Sequence, residues 1–392
     1  MEIIMKNIHL LNKIAKVGTD IFDTAEYNVG TDFETADAIM VRSAAMHDMT
    51  FGKDLKAIAR AGAGVNNIPI DRCTKEGIVV FNTPGANANG VKELAICALL
   101  LASRNIVGGI EWAKTLGGVE GGAAKAVEAG KSKFAGCELR GKTLGVIGLG
   151  AIGGMVANAA VELGMKVIGC DPFLTVEAAW NISSHVERAA SFDDIFKSCD
   201  YITLHVPATP DTKNMICAKS LAIMKDSVKI INLSRADLVC AADIKEAIAS
   251  GKVASYVTDF PTDEVIGVDG IVAIPHLGAS TEESEDNCAI MAAHQLDDFL
   301  RYGNIKNSVN FPNVSMPVTG HVRVCVLHEN IPAVISSITT VLSEQCANIE
   351  NMMNKSKGNN AYTLVELTGS LDDATTEKLA AIEGTIKVRV IK

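Results

Sequence analysis

Short apolar runs separated by helical patterns organise most of this chain. In residues 1–85, four such runs alternate with helical stretches, at residues 8–10, 38–41, 57–60 and 78–81. Runs of this length separated by helical patterns are typical of the strands of a parallel sheet. The first part of the chain is therefore predicted to form a small parallel sheet.

The same alternation continues with a clearer rhythm in residues 86–281. Six apolar runs are separated by helical patterns, at residues 143–147, 166–170, 201–206, 228–233, 254–258 and 272–274. Six strands that alternate with helices predict a Rossmann-type, doubly wound parallel sheet. A long amphipathic helix follows at residues 282–302.

A change in pattern marks the last part of the chain. Residues 304–318 are rich in Asn and Pro, which predicts a linker. Beyond it, strand patterns at 322–327, 349–353, 362–367 and 386–391 surround helical patterns at 333–343 and 374–382. The order βαββαβ predicts a ferredoxin-like α+β domain. We interpret it as a module that senses a ligand or dimerises, with a plain structural appendage as the alternative.

Composition narrows the class of protein. Hydrophobic residues make up 48% of the chain and aromatic residues only 5%, which fits helices packed closely on parallel sheets. A net charge of −10 without a long basic run argues against nucleic acid or an anionic membrane as partner. The ten cysteines form no C-x-x-C motif, and neither a signal peptide nor a long apolar span is recognisable. We expect a reduced, cytoplasmic protein without a metal site.

A glycine-rich stretch carries the strongest chemical signal. Gly148, Gly150 and Gly153 lie between a predicted strand and a predicted helix, and the next strand ends in Asp171. Glycines let the backbone approach a pyrophosphate, and the helix N-terminus offers it free N–H groups. A carboxylate at Asp171 can bind the adenosine ribose hydroxyls and would repel a 2′-phosphate. The stretch predicts NAD as cofactor; a glycine-rich turn in another kind of α/β protein is the alternative.

Polar side chains follow three strands of the central sheet. Arg235 follows the strand at 228–233, Asp259, Asp263 and Glu264 follow the strand at 254–258, and His276 follows the last. Ligands of open α/β sheets bind outside the carboxyl ends of the strands, so these groups are expected to converge. Imidazole can remove the hydroxyl proton of a 2-hydroxy acid, a neighbouring carboxylate can orient the ring, and a guanidinium can hold the substrate carboxylate. Taken singly, each has a structural alternative: a turn, a loop histidine or a cap of the sheet.

Taken together, the motifs of the central domain resemble those of one protein family. NLSRADLV, the DFP turn and PHLGAST, after GLGAIG, resemble the D-isomer-specific 2-hydroxyacid dehydrogenases. The last part, with HVRVCVLHENIPAVISSI, resembles an ACT regulatory domain. The resemblance implies a discontinuous, flavodoxin-like substrate-binding domain (1–85 and 282–303), an NAD-binding Rossmann domain (86–281), a linker (304–318) and an ACT-like domain (319–392). It also implies a small phosphorylated 2-hydroxy acid, 3-phospho-D-glycerate, as substrate.

The resemblance also assigns residues. It gives Arg235 the role of orienting the substrate and His276 that of acid–base catalysis, with Asp263 as the acid partner by position and Glu264 as the alternative. The cofactor residues are Gly148, Gly150, Ala151, Ile152, Gly153, Asp171, His205, Val206, Pro207, Leu233, Ser234, Asp259 and Gly278. The substrate residues are Arg42, Ser43, Arg60, Gly62, Gly64 and Asn87. His328, Asn330 and Asn348 are matched to an L-serine effector site.

Three departures from the family pattern affect these assignments. The family's catalytic Glu aligns with Asp263, whose side chain is one methylene shorter, so either the turn shifts or Glu264 takes the role. Ala151 stands where the family often has Arg or Lys, so pyrophosphate binding is expected to depend on backbone groups. Ala333 stands where a Gly usually follows Pro332, which is expected to crowd the effector pocket.

The family analogy also implies a homodimer or homotetramer, supported by apolar faces on the helix at 91–105 and on the return helix. Two other functions stay open. One is another D-2-hydroxyacid dehydrogenase, acting on lactate, glycerate or glyoxylate, and the other is a non-enzymatic NAD(H)-binding sensor or co-repressor. A phosphorylated substrate needs additional cations, for which Arg42, Arg60 and Arg104 are candidates; a sensor needs no catalytic Arg, acid and His.

Overall fold

The computed structural model describes residues 5–345 and 347–391, and the chain divides into two compact units. The central unit comprises Ala88–Ser284. The discontinuous unit comprises residues 1–87 together with 285–392. Each unit is described by itself below.

Five parallel strands in the order β2-β1-β3-β4-β5 form the first sheet of the discontinuous unit. This is the predicted flavodoxin-like order. The elements are β1 (Lys6–Leu10), α1 (Lys16–Thr19), β2 (Tyr27–Gly30), β3 (Ala38–Val41), β4 (Ala57–Arg60), α2 (Ile70–Lys75) and β5 (Val79–Phe81). The sequence analysis missed β2, because this edge strand has only four residues, one of them Gly and one Asn.

Seven parallel strands form the sheet of the central unit, in the order β12-β11-β10-β9-β6-β7-β8. The elements are α3 (Ala88–Ser103), α4 (Ile106–Lys114), α5 (Ala123–Gly130), β6 (Thr143–Ile147), α6 (Ala151–Glu162), β7 (Lys166–Cys170), α7 (Val176–Trp180), β8 (Val186–Arg188), α8 (Phe192–Ser198), β9 (Tyr201–Leu204), α9 (Ala218–Ile223), β10 (Val228–Asn232), α10 (Ala241–Ala249), β11 (Val253–Thr258) and β12 (Ile271–Ala273). The prediction of six strands was wrong by one, because β8 is a three-residue edge strand with the sequence VER and no apolar run. The strand order reverses beside β6, which is where the doubly wound fold opens a crevice for a ligand.

The rest of the discontinuous unit begins along α11 (Glu282–Tyr302) and continues into a four-stranded antiparallel sheet of order β14-β15-β13-β16. Its elements are β13 (Val322–Glu329), α12 (Val334–Glu344), β14 (Asn348–Lys357), β15 (Asn360–Thr368), α13 (Asp373–Ala380) and β16 (Thr385–Ile391). This confirms the predicted ferredoxin-like order. The face of α11 that carries the small side chains of Ala289, Ala292 and Ala293 packs in the core of the first sheet.

One apolar core joins the ACT-like domain to the first sheet. Tyr362 and Leu364 of β15 lie in the same buried cluster as Phe81 of β5 and Phe299 of α11. Phe311, from the segment predicted as a linker, is fully buried there. The ACT-like domain therefore packs within the discontinuous unit.

A buried ion pair fastens this arrangement. Arg323 of β13 and Glu366 of β15 are only 3% and 1% exposed, and their side chains are 2.7 Å apart. Arg323 also donates to the carbonyl oxygens of Tyr302 at 2.8 Å and Met316 at 3.1 Å. Burial alone would raise the pKa of the Glu366 carboxyl, but hydrogen bonds from Arg323 and Asn351 outweigh burial and lower it.

The nine cysteines within the described ranges are free thiols, and Cys346 lies outside those ranges. In the same part of the chain, no single helix combines the length and apolar content of a membrane span; the pair α3 and α4 does so only together, across a bend of 71°.

Candidate active site

The glycine loop after β6 has the geometry of a pyrophosphate cradle. Gly148 has a φ of +89°, and a Cβ there would lie 2.5 Å from the His205 carbonyl oxygen. A Cβ at Gly153 would lie 1.9 Å from the carbonyl oxygen of Gly148, so both positions require glycine. By contrast, a Cβ at Gly150 would meet no atom within 4 Å. The N-terminus of α6 thus faces open space that fits the pyrophosphate of a dinucleotide.

Asp171 lies at the end of β7 and faces an adenosine-sized cavity. Its Oδ2 accepts a hydrogen bond from the Leu149 amide at 2.9 Å, and its Oδ1 accepts one from the Phe173 amide at 2.8 Å. The carboxylate lines a cavity of about 470 Å³ together with Glu187 and Arg188. Each oxygen keeps a lone pair for a ribose hydroxyl, so the residue fits the role predicted for it.

His205 packs against the glycine loop, next to Gly148 and Gly153. Its Nε2 lies 2.9 Å from the hydroxyl of Thr203 and its amide donates to the Ile147 carbonyl. Burial lowers the pKa of His205 to about 4, so the ring is neutral near pH 7. The ring therefore fills space beneath the loop as an uncharged group.

The remaining predicted cofactor residues lie at strand and helix ends of the same unit. Ala151 and Ile152 begin α6, Leu233 is buried after β10, and Pro207 is exposed after β9. The half-buried residues are Ile152, Val206 and Ser234. The hydroxyl of Ser234 donates to the Leu204 carbonyl at 2.7 Å and thereby joins the ends of β9 and β10.

Phe260 brings the predicted catalytic arginine and histidine together. The His276 ring lies 4.5 Å from the Phe260 ring, centroid to centroid, and the Arg235 guanidinium lies 5.3 Å over the same ring. Both polar side chains are exposed, and Arg235 Nη1 donates to the Ser234 carbonyl at 2.6 Å. His276 has a φ of +45°, a strained conformation of the kind that often occurs at active sites.

The sequence analysis missed Phe260. The signal that could have found the ring is the aromatic residue of the DFP turn, which follows β11 directly and stands next to Asp259.

The acidic groups near His276 differ in their surroundings. Asp259 is 1% exposed, and its Oδ2 accepts a hydrogen bond from the Gly278 amide at 3.1 Å. Burial raises the pKa of the Asp259 carboxyl, although the Gly278 amide and the charges of His276 and Arg235 oppose this shift. Asp263 and Glu264 are exposed, and neither is hydrogen-bonded to the imidazole within the described ranges. The assignment of Asp263 as acid partner stays a prediction.

The predicted substrate loop after β3 is shaped by Asn12. The Asn12 Oδ1 accepts from the amides of Arg42, Ser43 and Ala44 at 3.2, 3.1 and 2.9 Å. Arg42 Nη2 lies 2.5 Å from Glu285 Oε1 near the start of α11. The sequence analysis named neither Asn12 nor Glu285, because both pairings join segments far apart in the chain.

A second arginine lies beside Arg42. Arg60 Nε donates to the Arg42 carbonyl at 3.0 Å, and a Cβ at Gly62 would lie 1.8 Å from Arg60 Nη1. Burial and the charge of Arg42 lower the pKa of the Arg60 guanidinium. Gly64 faces open space, and Asn87 is half-buried. Two guanidinium groups near one loop suit a doubly charged anion, and the third candidate, Arg104, is exposed in the central unit.

The predicted effector residues are divided between the interior and the surface of the ACT-like domain. His328 is 2% exposed, with Nδ1 2.7 Å from the Glu329 carbonyl and Nε2 2.9 Å from the Thr363 hydroxyl. Asn330 and Asn348 are exposed; the Asn330 side chain donates to the Gly358 carbonyl at 3.1 Å and the Asn348 side chain donates to Glu350 Oε1 at 2.7 Å. The His328 ring nitrogens are thus engaged inside the domain.

The doubly wound sheet, the glycine loop at its switch point and Asp171 define a dinucleotide-binding α/β protein. Residues 98–278 match the family described as D-isomer specific 2-hydroxyacid dehydrogenase, NAD binding domain. The chain is 32% identical over 352 residues to D-3-phosphoglycerate dehydrogenase of Escherichia coli, covering 86% of this chain and 82% of the relative. The chain belongs to the D-isomer-specific 2-hydroxyacid dehydrogenase family, and its central unit carries the family's NAD-binding domain.

Other relatives differ in length. D-3-phosphoglycerate dehydrogenase of Methanocaldococcus jannaschii is 35% identical over 297 residues, which cover 74% of this chain and 54% of the relative. The chain thus spans about half the length of that archaeal protein. The crystal structure of NAD⁺-bound 3-phosphoglycerate dehydrogenase in Entamoeba histolytica superposes with a TM-score of 0.61 at 29% identity and covers 78% of this chain and 99% of that one.

Proposed function

We propose that this protein uses NAD to oxidise 3-phospho-D-glycerate to 3-phosphooxypyruvate, the first step of serine biosynthesis from that acid, in the cytoplasm. The observation that carries the choice of substrate is the placement of Arg42 beside Arg60, in a unit separate from Arg235. An unphosphorylated 2-hydroxy acid needs one guanidinium for its carboxylate, whereas a phosphate needs further cations. The relatives named D-3-phosphoglycerate dehydrogenase support the same substrate.

The chemistry follows from the residues at the strand ends. The glycine loop and Asp171 would hold NAD, which would supply the acceptor for the hydride at C2 of the substrate. His276 takes the proton of the 2-hydroxyl as the C2–H electron pair leaves, so that C2–O becomes a carbonyl and the imidazole carries the released proton. Arg235 binds the carboxylate and the C2 oxygen, and Asp263 is the predicted partner of the imidazolium. Arg42 and Arg60 bind the phosphate, for which Arg42 must be released from Glu285.

The direct test compares 3-phospho-D-glycerate with D-glycerate, which differs only by the phosphate. With NAD present, we expect NADH formation from both, with kcat/KM lower for D-glycerate by at least about 100-fold, since Arg42 and Arg60 lose the phosphate that they bind. Rapid turnover of D-glycerate or D-lactate without turnover of the phosphorylated acid would identify a different D-2-hydroxyacid dehydrogenase.

Arg42→Gln tests the phosphate contact by itself. We expect the KM for 3-phospho-D-glycerate to rise about 10- to 100-fold, because a charge-assisted hydrogen bond is lost, while the kinetics with D-glycerate change little. Lys378→Gln, an exposed substitution in α13, is the control. An unchanged KM for the phosphorylated acid would remove Arg42 from the phosphate site.

His276→Ala distinguishes an enzyme from a sensor of NAD(H). We expect kcat to fall by about 10²- to 10⁴-fold through loss of the general base, while NADH binding, followed by fluorescence, is retained. If the unsubstituted protein binds NADH but transfers no hydride from any 2-hydroxy acid, the sensor function is correct.

We further propose that the protein is a homodimer, with a homotetramer as the alternative. The support is a row of exposed apolar side chains at the end of α3 and in α4, where Leu100, Val107 and Ile110 are 44%, 43% and 52% exposed. Sedimentation analysis at micromolar concentration tests this, and a monomer would contradict it.

L-Serine is the effector that we propose from the ACT-like domain. Asn330 and Asn348 are exposed and can reach it, whereas His328 supports the sheet from inside. Inhibition by L-serine that weakens in Asn348→Ala supports this site, and activity that is independent of L-serine contradicts it.

A further inference from the structure

A small cavity lies between the ACT-like domain and the first sheet of the discontinuous unit. It has a volume of about 130 Å³. Lys387 and Arg389 of β16 line one side, and Lys53 and Lys56, just before β4, line the other. Asp54 is the one acidic residue in the lining, and Phe299 contributes an apolar wall. Four cations thus share one small space.

Most of this positive charge has no counter-charge. Lys56 is paired with Asp37 at 2.5 Å. Lys53, Lys387 and Arg389 form no ion pair with any residue in the described ranges. Together with Asp54, these three residues carry a net positive charge, whereas the net charge of the whole chain is −10. The cavity therefore differs in sign from the molecule as a whole, and it favours an anion.

The hydrogen bonds of these cations leave donors unused. Lys387 Nζ donates to the Leu55 carbonyl at 2.8 Å, which occupies one of its three N–H groups. Arg389 Nη2 donates to the carbonyls of Phe299 and Leu300, and its Nη1 is buried without an acceptor in the described part of the chain. A buried donor without a partner is costly, so a ligand that satisfies it is stabilised.

The electrostatics of Lys387 agree with this geometry. Burial lowers the pKa of its ammonium group and the charges of Lys56 and Arg389 lower it further, while the carboxylates of Asp54 and Glu76 oppose this shift without reversing it. An anion among these groups would offset both effects, because it favours the charged form of each.

We propose that this cavity binds a compact oxyanion, a phosphate or a short carboxylate, held jointly by the ACT-like domain and the first sheet. A volume of about 130 Å³ equals roughly four water molecules, which admits such an anion and excludes a nucleotide. None of the lining residues belongs to the predicted catalytic, cofactor, substrate or effector sets, so the inference does not depend on the proposed function. The anion bridges two parts of the chain that are distant in sequence, and its binding stabilises their packing.

Titration calorimetry of the full chain tests the site. Sodium phosphate and sodium acetate are titrated separately at constant ionic strength set with sodium chloride, which distinguishes the two sources of oxyanion. We expect saturable binding of at least one. Lys387→Gln keeps a hydrogen-bond donor but removes the charge, and it is expected to weaken binding at least about 10-fold. Lys53→Gln, at the exposed rim, is expected to weaken it about two- to fivefold.

Two controls make the result decisive. Lys378→Gln removes a lysine of the ACT-like domain away from the cavity and is expected to leave binding unchanged. Arg42→Gln is the second control, because its effect on binding shows whether the anion binds at the substrate loop and not in the cavity. Binding lost in Arg42→Gln but kept in Lys387→Gln overturns the proposal, as does equal binding by all variants or no binding of either anion. If Lys387→Gln fails to fold, the comparison of Lys53→Gln with Lys378→Gln decides.

Discussion

At the scale of single residues, Phe260 has the clearest consequence. Its ring touches both the His276 imidazole and the Arg235 guanidinium, so it fixes their separation. Phe260→Leu is expected to lower kcat about 10- to 100-fold with a smaller change in KM, because a shift of about 1 Å in catalytic groups is costly. Phe260→Tyr keeps the ring and should restore most of kcat. Equal kcat in the Leu variant and the unsubstituted protein would show that the ring has no positioning role.

Ala333 is a second residue with a measurable cost. It is the N-cap residue that precedes α12, with a φ of +67° and ψ of −7°, a left-handed conformation in which Cβ crowds the backbone. Ala333→Gly is expected to raise the free energy of unfolding by about 0.5–1 kcal/mol, since relief of strain exceeds the entropy cost of glycine. Ala374→Gly, in the exposed start of α13, is the matched control and should destabilise by a similar amount. Thermal unfolding checks both, and a loss of stability in each would contradict the strain.

At the scale of elements, substitutions in the loop between β6 and α6 distinguish an effect on stability from an effect on cofactor binding. Gly150→Ala places a methyl group in open space, so it should leave stability within about 1 kcal/mol of the unsubstituted protein. The same methyl group occupies the pyrophosphate position and should weaken NADH binding at least about 10-fold.

Gly153→Ala is the matched comparison in the same loop. Its Cβ would lie 1.9 Å from a backbone oxygen, so α6 must shift, and a loss of about 2 kcal/mol or more is expected. Thermal unfolding and NADH fluorescence titration check both variants. Unchanged NADH affinity in Gly150→Ala would place the pyrophosphate elsewhere.

At the scale of the whole molecule, the Arg323–Glu366 pair makes stability depend on pH. The pKa of Glu366 is lowered in the folded protein, so its contribution is fully present above the ordinary carboxyl pKa of about 4.3 and is lost as the pH falls through the lowered value. Glu366→Gln should reduce this acid dependence of thermal unfolding. Glu377→Gln, exposed on α13, should leave it intact.

Removing Arg323 from this pair should lower the free energy of unfolding more than the substitution Glu366→Gln does. Arg323→Met leaves Glu366 buried without its partner, and a loss of about 3–5 kcal/mol in the free energy of unfolding is expected. The same substitution frees the carbonyls of Tyr302 and Met316. A smaller loss than in an exposed Arg→Met variant would show that the pair does not hold the ACT-like domain in place.

Local patterns predicted the order of most elements and the residues of the glycine loop. Buried parallel strands such as β6 and β7 are continuous apolar runs, and a tight turn beside a helix N-terminus needs glycine, so both are visible in neighbouring positions. The edge strands β2 and β8 were missed because each is short and partly exposed, and pairing with a neighbour defines them.

The amino-acid sequence by itself determined the α/β class, the order of most strands and helices along the three parts of the chain, and the residue types at the strand ends. Only the tertiary structure decided that Phe260 lies between Arg235 and His276, that Asn12 and Glu285 hold the Arg42 loop, and that Arg323, paired with Glu366, binds backbone carbonyls at the end of α11 and in the segment after it. The periodicity of a segment shows which of its faces is buried. It carries no information about which distant segment covers that face, because that depends on the packing of the whole chain.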